Sequence, residues 1–299
     1  MESGGTAEDT PAVPAPRAPV RGGRRASRRG GAARPVPATA RPRLRRFALA
    51  VGLALLLLAV VVPLSLSRWA TRAEAVTSTW AQVATVVVDV GSGDVIVRGE
   101  ERSDVRVVTT TTASLRHPDT STGRRSDQLL VSARCPSGPA LLGLGSCRTD
   151  VSVEVPHGTR VEVRSDRGAV QVQGVDAALR LRVGEGQVKV ETATGPLDVS
   201  VDRGPVTATD LAGPSVDVRA GQGNVRVQAA SPVPRLTARS SAGTVDVSVP
   251  AGRTYAVDAS TGAGVVDTGG VLTDPESSSH VTARSEAGDV TVSTTPQVR

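Results

Sequence analysis

The chain has 299 residues, a formal net charge of +6, 31 glycines and only 1% aromatic residues. So few rings argue against a nucleic-acid platform of stacked bases and against a sugar site built on exposed aromatics. The charge is uneven: residues 1–46 hold eleven Arg against three acids, or +8, so the remainder carries −2.

Residues 1–46 are rich in Pro, Gly, Ala and Arg and lack aromatics. They cannot bury a core and are expected to be a disordered cytoplasmic segment. The run 47–66 is twenty residues without a charge, which predicts a transmembrane helix over 47–67. Arg41, Arg43, Arg45 and Arg46 stand just ahead of it and set the topology, with the N-terminus inside and residues after about 68 outside. A cleaved signal peptide is the rival reading, because Ala73-Glu74-Ala75 resembles a cleavage motif. The long basic leader favours a retained anchor. Residues 68–80 are then a juxtamembrane linker, with Trp69 and Trp80 placed to anchor at the interface.

Residues 81–296 form the predicted extracytoplasmic domain. Eight glycines punctuate it: Gly93, Gly168, Gly186, Gly204, Gly223, Gly243, Gly264 and Gly288. Two residues after each comes a valine, namely Val95, Val170, Val188, Val206, Val225, Val245, Val266 and Val290. Upstream arms such as Val86/Val88, Leu179/Leu181 and Val216/Val218 complete a unit of the form apolar-x-apolar-x-small-x-x-Gly-x-Val-x-Val. Period-two alternation puts these apolar residues on one face of a strand and Arg, Asp, Thr and Gln on the other. The glycines read as turns between arms. The domain is therefore expected to be all-β, with the eight valines as its repeat core. From Gly168 the glycine spacings are 18, 18, 19, 20, 21 and 24. A period this short implies one supersecondary unit per repeat, stable only when stacked. A β-solenoid is favoured over an antiparallel sandwich or meander, because the inward residues hardly change from copy to copy.

The period lapses between Gly93 and Gly168, and residues 113–150 read as an irregular insertion. Strands are still expected at 104–112 and 128–133, with an exposed loop over 115–128. Cys135 and Cys147 flank a Pro/Gly-rich stretch and, in an exported domain, predict one disulfide.

The search for chemistry is brief. His117, His157 and His280 are isolated, and no Gly-x-Ser-x-Gly elbow occurs. Asp267-Thr268-Gly269 matches an aspartic-protease tripeptide, but the second carboxylate such enzymes need has no counterpart. The residue after each repeat glycine varies from Asp94 to Val265, so no regular calcium cage can form. No catalytic residue, cofactor, metal site or nucleic-acid partner is expected.

Residues 151–174, with Val86–Gly99 and Val247–Gly252, resemble bacterial adhesin-like domains of the DUF4097 type. The similarity spans roughly 80–295. It implies a solenoid-like envelope domain, often on a membrane anchor, without established catalytic residues; the cysteine insertion departs from the pattern. The functional expectation is a single-pass, membrane-anchored, non-catalytic binding or structural module of the cell envelope. Its partners would be the membrane and a wall polymer or envelope protein, with the oligomeric state open. The alternative is an envelope-stress sensor signalling through the basic tail.

Overall fold

The computed structural model describes residues 51–58, 61, 72–113, 118–136 and 147–295. Residues 51–58 are helical and solvent-exposed throughout. Among the described residues no helix is long and apolar enough to cross a membrane. The rest of the 47–67 run and Arg41, Arg43, Arg45 and Arg46 lie outside them.

The remainder is built of strands. In chain order they are β1 (Arg72–Ala81), β2 (Thr85–Ser92), β3 (Val95–Glu100), β4 (Asp104–Ala113), β5 (Asp119–Arg125), β6 (Gln128–Arg134) and β7 (Cys147–Pro156). The regular repeats follow as β8 (Arg160–Arg167), β9 (Val170–Val175), β10 (Leu179–Glu185), β11 (Val188–Ala193), β12 (Leu197–Arg203), β13 (Val206–Leu211), β14 (Ser215–Gln222) and β15 (Val225–Ala229). The set closes with β16 (Arg235–Ala242), β17 (Val245–Pro250), β18 (Thr254–Thr261), β19 (Val266–Asp267), β20 (Leu272–Thr273), β21 (His280–Ala287) and β22 (Val290–Thr295).

Two eleven-stranded sheets result. Sheet A runs β1-β4-β7-β3-β9-β11-β13-β15-β17-β22-β19, and sheet B runs β20-β18-β21-β16-β14-β12-β10-β8-β2-β6-β5. Each repeat is one coil: a strand in sheet B, a glycine corner, then a strand in sheet A. Coil stacks on coil with parallel pairing, as in β8–β10 and β9–β11. This is a two-sheet β-solenoid, and the antiparallel sandwich is excluded for the repeats.

The register brings the repeat valines together. Val95, Val170, Val188, Val206, Val225, Val245 and Val290 occupy successive rungs of sheet A, each at most 1% exposed. Val266 extends the same row beyond Val290 but is 41% exposed, because it lies on the edge strand and no rung covers its outer side. It corrects the expectation of eight equivalent core positions. Opposite them, Val86, Val161, Leu179, Leu197, Val216, Leu236 and Val281 form the matching row of sheet B. Each buried Val or Leu contributes about 1.5–3 kcal/mol, most of it offset by chain entropy.

The glycines do more than turn the chain. At Gly186, φ is +153° and a Cβ would stand 1.9 Å from the Gly168 carbonyl oxygen of the neighbouring coil. The same approach recurs from Gly93 to Gly288, so the corner column is a stack of backbones with no room for a methyl group. Inside the corner, Ser240 Oγ donates to Gly223 O and Ser285 Oγ to Gly243 O, both at 2.8 Å.

Coil order is not chain order. The β2–β3 coil lies between β6–β7 and β8–β9, and β21–β22 lies between β16–β17 and β18–β19. The insertion is more regular than its sequence suggests: β6 and β7 form a coil of their own, with Thr149 on the rung next to Gly93 and the Cys135–Cys147 disulfide joining the end of β6 to the start of β7. Two expectations change here. The linker expected at 68–80 becomes strand β1 from Arg72 on, paired antiparallel with β4. The loop expected over 115–128 contains β5, which pairs antiparallel with β6 although its side chains are all exposed. In both, backbone pairing to an open sheet edge supplies the order that side-chain burial does not.

Candidate functional site

With the apolar residues inside, function must come from the outward columns. On sheet A one such column reads Gln171, Lys189, Thr207, Arg226, Asp246 and Thr291, half of it uncharged, with Arg226 bonded to Asp246 at 3.1 Å. Sheet B is far more charged. One column carries Glu162, Arg180, Asp198 and Asp217; beside it runs Arg164, Arg182, Ser200, Arg219, Arg239 and Arg284. Ion pairs link the two: Glu162 holds both Arg164 (2.7 Å) and Arg182 (3.5 Å), Arg180 meets Asp198 at 3.3 Å, and Arg219 bonds Asp217.

Asp217 is the least comfortable of these groups. Burial pushes its carboxyl above the ordinary range, Arg219 and Arg239 pull it down, and Asp198 pushes it up again. Its Oδ1 is buried without a hydrogen-bond partner.

Two open grooves follow the glycine corner along sheet B. One, of about 740 Å³, is lined by Asp166, Glu185, Asp202 and Arg203, with Gly184 and Gly221 leaving its floor bare. The other, of about 640 Å³, is lined by Arg219, Arg239, Arg284, Ser241, Ser260 and Glu286 among others.

The residues singled out for chemistry do not converge. His157 sits in the corner after β7, its Nδ1 2.7 Å from Gly174 O and 4.0 Å from Asp176. Thr194 Oγ1 donates to Asp176 at 2.8 Å, so the carboxylate lies between hydroxyl and imidazole and the imidazole is not bonded to that hydroxyl. His280 opens β21 opposite Arg235 and Ala256, several coils away. The Asp267 carboxylate accepts the Gly269 amide at 2.8 Å, a local turn bond. His117 lies outside the described residues. No group of three His, Cys, Asp or Glu that could hold a metal occurs among the described residues.

Two features had no periodic signal in the sequence. The Arg102 guanidinium, with its side chain 14% exposed, bonds Asp104 (3.1 Å) and Glu154 and staples the β3–β4 turn to β7. The hydrogen bond that Arg102 donates to Asp104 raises the Arg102 pKa and lowers that of Asp104. Trp80, expected at an interface, instead packs half-buried against the core. Tyr255 is 1% exposed and donates to Pro250 O at 2.9 Å, so it offers no ring to a sugar.

The fold is similar to a candidate cell adhesion protein from Clostridium sporogenes, at 13% identity and a TM-score of 0.37, over 75% of this chain and 100% of that one. A candidate lipid binding protein from Parabacteroides distasonis aligns at 12% identity and a TM-score of 0.43, over 75% and 97%. A candidate adhesin from Parabacteroides merdae aligns at 14% and 0.31, with the same coverage. No curated protein matches the chain. Residues 142–296, more than half of the chain, match the Toastrack DUF4097 model, and the chain belongs to that family.

Proposed function

We propose that the chain is a non-catalytic binding or structural module, held outside the cell membrane by a single helix over 47–67. The observation that carries the reading is the pair of broad sheet faces, built from in-register rungs and covered with fixed polar and charged side chains. Such repetition suits contact with a partner that is itself extended. The uncharged run at 47–66 behind four closely spaced arginines supports the anchor and its orientation.

The test is retention of the oxidised full-length protein, held in nanodiscs of zwitterionic lipid, on cell-envelope fractions, with bound components identified by mass spectrometry. Specific, saturable retention on a wall polymer or envelope protein is expected. Failure of a chain shown by circular dichroism to be folded would overturn the reading. Activity in cells that disappears when residues 2–40 are deleted would favour the sensor, for which the eleven arginines of the leader speak.

A further inference from the structure

On a sheet, like charges directly opposite one another destabilise the pairing. Most outward columns of this solenoid respect that rule. Asp89 faces Arg164, Arg180 lies between Glu162 and Asp198, and Glu185 lies between Arg167 and Arg203. Where Arg164 and Arg182 do stack, Glu162 bridges both.

The rule fails at two places: Asp198 faces Asp217, where Arg219 reaches both carboxylates, and three arginines stack one above another. Arg219, Arg239 and Arg284 stand on three successive rungs of sheet B, in register on β14, β16 and β21, about 4.8 Å apart. Asp217 binds the first and Asp258 the last. The middle one, Arg239, has Thr237 and Ser241 beside it on its strand and forms no ion pair among the described residues. These three arginines line the 640 Å³ groove with Ser241, Ser260 and Glu286. Ser240 and Ser285 beneath them are committed to corner carbonyls, whereas Ser241 and Ser260 are exposed and their hydroxyls bond to no described residue. Asp217, Asp258 and Glu286 together balance the three arginines, yet Arg239 alone of the three has no carboxylate within bonding distance among the described residues, Asp217 acting on it only from farther off. A local rule met only in part marks a place where a ligand can complete it.

We infer that this groove binds a linear polyanion, a polymer with recurring phosphate, sulfate or carboxylate groups, which lies along the solenoid and crosses its strands. This rests on the binding-module reading above and supplies its site and ligand class. Guanidinium forks pair bidentately with such oxyanions. The column continues past Ser200 to Arg182 and Arg164, so arginines recur over about 24 Å at one rung per 4.8 Å. The groove itself reaches from Arg219 to Arg284 and admits a chain better than a planar bilayer. The ligand replaces the carboxylate that Arg239 lacks.

The test is residue-resolved arginine modification of the full-length protein in zwitterionic nanodiscs, read by mass spectrometry. This separates the groove from the leader, whose eleven arginines would attract any polyanion electrostatically. Inorganic polyphosphate is expected to slow modification of Arg239 at least threefold and leave Arg226 on sheet A unchanged; inorganic phosphate alone should protect weakly. Equal protection on both sheets, no protection, or protection only by phosphatidylglycerol vesicles would each overturn the site. Arg239→Gln is expected to abolish the protection of Arg219 and Arg284 with the melting temperature unchanged or raised. A marked fall in melting would show that the fold needs Arg239 and would remove the argument. Envelope retention that survives Arg239→Gln, with no polyphosphate protection in the parent, sinks this site alone. Loss of envelope retention in the parent sinks the reading beneath it.

Discussion

Asp217 shows how tightly charge is managed on the exposed face of sheet B. Its carboxylate faces Asp198 across the rung and is partly buried, and burial dominates over the pull of Arg219 and Arg239. A carboxyl raised in the folded state lends stability while it is neutral. That contribution is complete below the ordinary value of about 4 and is lost as pH rises through the folded value. At neutral pH the charge is therefore held at a cost. Asp217→Asn is expected to raise the melting temperature at pH 7, and the gap from the parent should close near pH 3, as circular-dichroism melts would register. A lower melting temperature at pH 7 would mean that the bond to Arg219 outweighs desolvation. None of this was legible in the sequence. Glu162, Arg180, Asp198 and Asp217 are separated by whole repeats, and which of them face each other depends on the stacking register.

At the scale of the element, the corner glycine is the feature on which a coil depends. Gly186→Ala combines a forbidden φ with a methyl group driven into the Gly168 carbonyl, and backbone cannot yield there as a flexible side chain could. A loss above about 4 kcal/mol is expected, enough to unfold the local coils. Gly123→Ala, in the exposed strand β5 with nothing within 4 Å of the added carbon, should stay within about 0.5 kcal/mol of the parent. Urea titration of the two variants side by side checks both values. The inward rows were readable because period-two alternation maps directly onto two faces, so Val188 and Val190 declare themselves. The second reason for glycine was not readable, since the obstructing carbonyl belongs to another coil. β1 and β5 escaped notice for a related reason: strands ordered by an edge partner carry no burial pattern of their own.

For the solenoid as a whole, the order of coils governs how damage spreads. In a simple solenoid, removing a terminal repeat subtracts one rung and one interface. Here the strands of residues 280–295 occupy an interior slot, between β16–β17 and β18–β19. Truncation after Ser279 should cost both interfaces of the inserted coil and release residues 254–273 along with it. Limited proteolysis is expected to cut first within 254–273 in the truncated chain and to spare that stretch in the full one. Coil order was hidden because every repeat offers neighbours the same valines. One clue was present: Thr237, Ala238, Arg239 and Ser240 recur as Thr282, Ala283, Arg284 and Ser285, and these two coils are the ones that stack.

The interior position of residues 280–295 also bears on manufacture. A ribosome delivers residues 254–273 first, yet their proper seat is against a coil that has not arrived. A prematurely stopped or clipped chain therefore cannot pass for a slightly shorter version of the finished one. It presents a gap with loose strand edges, the kind of surface that proteases find quickly. The threading order thereby acts as a check of completeness, applied before the protein is exposed to any partner.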